Sequence, residues 1–343
     1  MMEIPGDYGS GSGTIVRLSL AFSALTNTPI RITDIRAKRP NPGLRHQHLE
    51  AVRTIAKISL GRLIGDYVGS KTLEFYPKRL KGGKIDVSIE TAGSIGLLAY
   101  AALIPSVFSQ EDVILNIKGG SIASMWSPPV PYMTNVLLPA LSKMGIQAKI
   151  TIEKYGFYPR GGSAVVLAVK PSRRISPLNL TDFGAIKNIR CVSISSKLLR
   201  KANVAERQVI GAMRILKKQK IEKEVLYVDS ACPGSMLLLT VETTSGLVLG
   251  SDSIGERGKP AEVIGEEAAF KLQEIIKYKP TLDEHLSDQL IPFMALANGK
   301  SEVIIPEITD HVKTNIWLCE KFLGTKFEME EEGENIRISC AGK

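Results

Sequence analysis

Cysteine is scarce in this chain: its 343 residues include four, Cys191, Cys232, Cys319 and Cys340. No two form a Cys-x-x-Cys pair, so neither a zinc site nor a disulfide framework is expected. They read as reduced, mostly buried thiols of a cytosolic protein. Long apolar runs are missing as well. The longest, residues 95–108, is too short to span a bilayer and contains Pro105. It predicts a buried helix and no membrane partner. The first residues, Met-Met-Glu-Ile-Pro-Gly-Asp, lack the basic region and apolar core of a signal peptide, which makes a cytoplasmic protein the expectation. The glycine-rich loop Gly9-Ser-Gly-Ser-Gly13 does not continue into Gly-Lys-Ser/Thr, and that excludes a Walker A loop. It still resembles a phosphate-cradling turn before a helix, with Arg17 one turn in.

What is present is an ordinary globular composition, 44% hydrophobic and 23% charged, long enough for a full core and about two domains. The net charge of +9 favours an anionic partner such as nucleic acid or nucleotide. Residues 35–52 are the most informative stretch. Arg36, Lys38 and Arg39 follow an apparent strand over residues 29–35, and Pro40, Pro42 and Gly43 then stiffen a turn before a helix from about Arg45. Cations between a strand end and a helix start make an anion site, because helix-terminal N–H groups add their own positive end. Arginine adds planar, bidentate contact to phosphate.

An internal repeat organises the α/β (α+β) pattern. Each of three segments has an apolar helix, a short strand, a loop, a second helix and two strands. The first has helices at 14–26 and 46–60 and strands at 30–35, 72–75 and 84–89. The second has helices at 93–108 and 132–144 and strands at 113–117, 147–153 and 163–169. The third has helices at 286–297 and 312–322 and strands at 302–305, 326–330 and 335–340. These assignments follow apolar spacing near 3.6 for helices and β-branched alternation for strands. Between the second and third copies lies a different block, with strands at 190–195, 225–228, 236–241 and 247–250 and helices at 204–218 and 260–278. It reads as a small α/β domain inserted over residues 181–279, between repeats 1 and 2 (residues 1–180) and repeat 3 (280–343). If the copies pack around one axis, their loops at 36–43, 119–131 and 307–311 converge on one cleft.

His311 stands in the third of those loops, at a helix start. A neutral imidazole there can attack the α-phosphorus of a nucleoside triphosphate and split a hard step in two. Thr309 or Asp310 is a plausible helix cap beside it. Asp288 and Gln289 are placed to read a purine edge, with Pro128 or Pro129 covering its face; Asp283 and Ser287 are equally plausible as helix caps.

Together, Ile-Arg-Ala-Lys-Arg-Pro-Asn-Pro-Gly-Leu-Arg-His-Gln-His-Leu (residues 35–49), the Ala-Gly-Ser setting of Ser94, Trp-Ser-Pro-Pro-Val (126–130), Gly-Phe-Tyr-Pro-Arg-Gly-Gly (156–162), Asp288-Gln289-Leu, and His311 with Lys-Thr-Asn (313–315) resemble the RNA 3′-terminal phosphate cyclase family. The resemblance implies three βαβ-type repeats like the C-terminal fold of a translation initiation factor, and a thioredoxin-like insert. It implies that ATP, with a divalent metal such as magnesium or manganese, adenylates His311. AMP then passes to an RNA ending in a 3′-phosphate, and the vicinal 2′-OH closes a 2′,3′-cyclic phosphate. Arg17, Arg36, Arg39 and Gln47 match the family's phosphate and substrate residues. The nucleotide pocket falls at Tyr100, Pro129, His285, Leu286, Ser287, Asp288 and Gln289. No oligomeric state and no metal ligands are implied.

This chain departs from the family at that same end. The usual Glu-Gly-Gly-Gly-Gln is Ser10-Gly-Ser-Gly-Thr14, a glutamine is Tyr100, a stacking tyrosine is His285, and Thr-Asp is Ser121-Ile122. One alternative is therefore a cyclase-like RNA-binding protein of ribosomal RNA processing, without adenylation. A more distant one is an enolpyruvyl transferase, which would explain neither the arginine loop nor His311. A serine cannot replace a carboxylate's charge at a metal. Ser10→Glu should therefore lower the metal concentration that gives half-maximal self-adenylation, with little change in RNA affinity. An unchanged or higher metal requirement would show that the serine is compensated elsewhere or that position 10 never meets the ion.

Overall fold

A computed structural model describes residues 1–9, 11–125, 127–217 and 219–343. Ser10, Trp126 and Lys218 lie outside the described residues, and with them the first family departure, the tryptophan of the 126–130 motif and the far end of the helix expected over 204–218. The fold is mixed α/β, and the described strands form four-stranded sheets. The first unit runs β1 (Met2–Pro5), α1 (Gly13–Thr26), β2 (Ile30–Thr33), α2 (His46–Ile58), β3 (Arg62–Ile64) and β4 (Leu73–Tyr76). The second runs β5 (Gly83–Ser94), α3 (Ile95–Val107), β6 (Val113–Ser121), then α4 (Val130–Tyr132), a π-helical turn (Met133–Leu137) and α5 (Leu138–Lys143), and ends with β7 (Gln147–Lys154) and β8 (Ala164–Lys170).

After β9 (Asn179–Leu180) comes a block of β10 (Ile186–Ser196), a 3-10 segment (Lys197–Ala202), α6 (Val204–Ile215), β11 (Ile221–Val228), β12 (Ser235–Thr243), β13 (Val248–Ile254) and α7 (Ala261–Tyr278). The chain closes with α8 (Glu284–Gln289), α9 (Ile291–Leu296), β14 (Ser301–Ile305), α10 (Asp310–Leu323), β15 (Phe327–Glu332) and β16 (Asn335–Cys340). The sheet orders are β1-β2-β4-β3, β5-β6-β8-β7, β9-β14-β16-β15 and, for the intervening block, β11-β10-β12-β13. In each of the first three the leading pair is parallel and the remaining pairs are antiparallel.

Several boundaries differ from the sequence reading. Residues 84–89 were expected to close the first unit, but β5 opens the second sheet by pairing in parallel with β6. The strand that pairs with β4 instead, β3, has three residues of which two are exposed, too little for an alternation signal. The leading strands β1 and β9 are missed for the same reason: each is short, and β1 ends on a proline. β9 also lies before the intervening block, although it pairs with β14 of the last sheet. The single helix expected over 286–297 is two helices, because Pro292 at the start of α9 has no N–H to continue the ladder.

The central helix is α1, which packs against α2, α3 and α10. Its sequence is apolar all round except for its serines, threonines and Arg17, and such a helix is buried on every side. Ser12 caps its start and Asn27, at a φ of 50°, ends it in the left-handed conformation. All four cysteines are free and buried. No helix among the described residues is long and apolar enough to cross a membrane.

The intervening block docks on the rest through Asp283 and His285. Asp283 Oδ1 caps α8 by accepting from the N–H groups of His285 and Leu286, each at 3.0 Å, and also accepts from Tyr132 Oη at 2.6 Å. Its Oδ2 accepts the Gly250 N–H of β13 at 2.7 Å. His285 Nε2 meets Asp252 Oδ1, also on β13, at 3.1 Å, and the Tyr132 ring stands edge-on to the imidazole. Burial alone would lower the His285 pKa, but the bond to Asp252 and the charges of Asp252, Asp283 and Asp288 raise it to about 9. A histidine raised in this way stabilises the fold fully below its unfolded value near 6.5, and the contribution is lost as pH rises through about 9. Asp252→Asn should therefore cost about 2 kcal/mol at pH 6 and much less at pH 10, measured as unfolding free energies of variant and parent. A difference independent of pH would mean that His285 is neutral throughout.

Candidate active site

Three helix N-termini meet at one point. Gly13 opens α1, and a Cβ built there would lie 2.2 Å from His48 Nε2 of α2 and 2.9 Å from Arg17 Nη1. Only a glycine lets α1 approach α2 this closely. From α10, His311 brings Nδ1 to 3.4 Å from Thr14 Oγ1, the hydroxyl to which Arg17 Nη2 also donates at 3.3 Å. Thr309 Oγ1 caps α10 by accepting from Val312 N–H at 3.2 Å, which sets His311 in the first helical turn. Unpaired N–H groups and the positive ends of three helix dipoles thus face the same space.

The side chains add positive charge to that space and hold the histidines neutral. Burial lowers the Arg17 pKa to about 10, against the favourable fields of Tyr100 and Asp288, and it still carries its charge at neutral pH. His48 is buried, and burial together with Arg17, Arg36 and Arg45 pushes its pKa well below 6.5. Its Nδ1 accepts the Arg45 N–H at 3.2 Å, so the neutral ring carries its proton on Nε2, on the side facing α1. Crowding by the cleft walls, then the charges of Arg17 and Arg39, lower the His311 pKa as well, even though the residue reaches solvent. When the Thr14 hydroxyl accepts from His311 Nδ1–H, Nε2 keeps its lone pair and points away from Thr14 as a nucleophile.

The arginine loop divides its labour. Arg36 sits in the left-handed region at a φ of 55°, and its Nη1 donates to the carbonyls of Asn41 at 2.7 Å and Gly43 at 3.1 Å. That side chain locks the loop as well as charging it. Lys38 Nζ donates to Asp7 O at 2.8 Å, tying the loop to the glycine-rich turn. Arg39 is exposed, and its charge reaches His311. Gln47 Oε1 accepts from Ser94 N–H at 3.4 Å, which joins α2 to the start of α3. The structure therefore brings Arg17, Arg36, Arg39, Gln47 and His311 to one cleft.

The residues expected at the nucleotide end differ in their surroundings. Tyr100 is buried and donates to Gln289 O at 2.9 Å. Asp288 is half-buried next to Arg17, and burial raises its pKa to about 7. Gln289 and Asn315 are only 5% and 2% exposed, and Gln289 Oε1 and Asn315 Oδ1 have no hydrogen-bond partner among the described residues. Asn315 Nδ2 meanwhile donates to Asp288 O at 2.7 Å. Pro129 is buried at the start of α4, and the carbonyl of its neighbour Pro128 fills the space above Gly96, one turn from Tyr100 on α3. By contrast, Leu286 and Ser287 face the core, with Ser287 Oγ donating to Asp283 O at 2.6 Å. His285 is turned to Asp252.

Sequence reasoning assigned no role to His48, Thr14 or Asn315, although all three stand in motifs it quoted. The available signal was position: His48 is the third residue of a helix whose first turn follows three cations. Nothing in sequence places Thr14 against a histidine 297 residues away.

This geometry can be set beside known proteins. A family model described as RNA 3′-terminal phosphate cyclase matches residues 8–329. RNA 3′-terminal phosphate cyclases of Pyrococcus abyssi and Pyrococcus furiosus are each 44% identical to this chain, covering 97% and 98% of it and 96% and 98% of their own lengths. That of Methanopyrus kandleri is 38% identical, with 98% of both chains covered. Matched along nearly its whole length by model and relatives alike, the chain belongs to the RNA 3′-terminal phosphate cyclase family.

Proposed function

We propose that the cleft where α1, α2 and α10 meet uses ATP to convert the 3′-terminal phosphate of an RNA into a 2′,3′-cyclic phosphate. The observation that carries this reading is the neutral His311 held by Thr14 beside the buried Arg17. Nε2 of His311 attacks the α-phosphorus of ATP; the N–P bond forms as the bond to the β-phosphate oxygen breaks, and pyrophosphate leaves. An oxygen of the RNA 3′-phosphate then attacks the same phosphorus and frees the histidine. Finally the vicinal 2′-OH attacks the activated 3′-phosphorus, loses its proton and expels AMP. Direct closure would have to expel an oxide-like group, whereas AMP leaves readily. Arg17, Arg36, Arg39 and the helix N-termini neutralise the phosphates, with Gln47 beside them. The unpartnered acceptor of Gln289, with Asp288, Tyr100 and Pro129 around it, supports an adenine site there. The burial of Leu286 and Ser287 limits them to shaping its floor.

A protein-held divalent ion does not fit these residues. Among the described residues no group of three histidine, cysteine or carboxylate side chains could hold a metal. Asp288, whose charge reaches Arg17, has a pKa raised to about 7 and is only partly ionised at neutral pH. No step is therefore routed through magnesium or manganese.

We read the three sheets of shared order as repeats like the C-terminal fold of a translation initiation factor. The block over residues 181–279 is read as a thioredoxin-like insert between residues 1–180 and 280–343. Buried free thiols support a cytoplasmic, reducing location. The alternative of an RNA-binding protein without adenylation is weaker, because binding alone has no use for a neutral nucleophile inside a ring of arginines.

With α-labelled ATP the protein should take up acid-labile, alkali-stable label, and His311→Ala should reduce that label at least ~100-fold. Label persisting in the variant would sink the assignment. Since the His311 pKa is lowered, the adenylation rate should hold through pH 7 and fall only in acid below the ordinary imidazole value. Arg39→Ala should impair transfer to RNA ending in a 3′-phosphate more than self-adenylation. It should also reduce the salt dependence of RNA binding by ~0.7 log units per log unit of salt. Equal loss in both steps would place Arg39 on the nucleotide instead.

A further inference from the structure

Residues 158–160 form an exposed tip on a locked base. Tyr158 is 72% exposed, the highest value among the exposed large hydrophobic side chains, and Pro159 and Arg160 beside it are exposed too. Arg160 makes no ion pair among the described residues. The base beneath is held on several sides. Gly161 N–H donates to Phe157 O at 2.6 Å, and Cys232 Sγ of the intervening block donates to the same oxygen at 3.2 Å. The Phe157 ring is buried against Gly234, where a Cβ would lie 2.2 Å from ring carbon Cγ. A turn needed only for solubility has no reason to be fixed so firmly while displaying a tyrosine.

The tip also stands beside the cleft. A Cβ on Gly161 would lie 2.6 Å from Gly120 O and 3.2 Å from Ala92 Cα. The next residue, Gly93, leaves 3.0 Å between its Cβ position and Gln47 Cβ. Gln47 immediately precedes His48 in α2, so the tip rises from the rim next to the phosphate residues. An exposed aromatic face and a guanidinium, both on a rigid loop, suit an unstacked base and its phosphate in single-stranded nucleic acid.

We infer that Tyr158 and Arg160 form a docking platform for the nucleotide immediately 5′ of the RNA terminus, with the base stacking on Tyr158 and its phosphate meeting Arg160. This rests on reading the cleft as a terminal-phosphate site. An RNA seated there by its last phosphate must lead its remaining chain out over the rim, and the platform gives that chain its first hold.

The test is direct binding of a 5′-fluorescent oligoribonucleotide of about 10 nucleotides ending in a 3′-phosphate, followed by anisotropy with the full chain. Competition by a nucleoside 3′-monophosphate, which has no upstream nucleotide, measures the cleft alone. Tyr158→Ala should weaken oligonucleotide binding ~10-fold, or about 1.4 kcal/mol, while Tyr158→Trp binds like the parent. Arg160→Ala should weaken it ~5-fold and lower the salt slope by ~0.7. Neither should change nucleoside 3′-monophosphate affinity more than ~2-fold. Unchanged oligonucleotide affinity in Tyr158→Ala, or an equal loss for the mononucleotide, overturns the platform. A protein that takes no label from ATP but loses RNA affinity in Tyr158→Ala would sink the adenylation reading and leave the platform standing.

Discussion

The close approach of α1 to α2 at Gly13 is the contact on which the cleft depends. A side chain there would collide with the His48 ring and the Arg17 guanidinium together. With hydrogen in that place, two helix starts pack almost in contact, and α10 brings a third alongside through Thr14 and His311. Crowding of positive ends then sets the chemistry. Arg17 is well enclosed, and burial first, then the Arg17 charge, keeps both nearby imidazoles from taking up a proton. The charge that attracts an anion thus adds to the burial that keeps the nucleophile neutral.

Thr14 acquires its meaning from this arrangement. By comparison with the family pattern it is a loss, a hydroxyl where an amide is usual. In the fold that hydroxyl accepts from Arg17 and contacts His311, and so orients the ring with one atom. Tyr100 shows the same adaptation: its hydroxyl is spent on the backbone of Gln289, which fixes the chain at the point where the Gln289 side chain is left with an open acceptor. At Thr14, Tyr100 and His285 the departures from the family pattern are built into the packing around the cleft.

Two of the contacts between the intervening block and the rest of the molecule bear on the cleft. Through Gly250 and Asp252 the block holds Asp283 and His285 at the start of α8, two turns or less from Asp288 and Gln289. Through Cys232 and Gly234 it seats Phe157, and with it the exposed tip at residue 158. Burying Asp283 raises its pKa, a cost offset by four hydrogen bonds from a tyrosine and three backbone groups. Such a network is worth keeping only where a helix start must not move.

The sequence by itself determined the elements with long, strongly periodic patterns: α1, the apolar α3, the six-residue and longer strands, and the cationic stiff loop before α2. It also determined the family, because the motifs at residues 35–49, 156–162 and 311–315 are specific in combination. Three short strands, β1, β3 and β9, escaped it, since they draw their stability from partners in a sheet and carry almost no periodicity of their own. For the same reason residues 84–89 were attached to the wrong unit. Only the tertiary structure decided how the 285–289 run is placed: Leu286, Ser287 and Gln289 are buried, while Asp288 is half-buried and its charge reaches Arg17. Only it revealed that Thr14 and His311 meet, because a contact across 297 residues depends on how whole helices pack and not on local spacing.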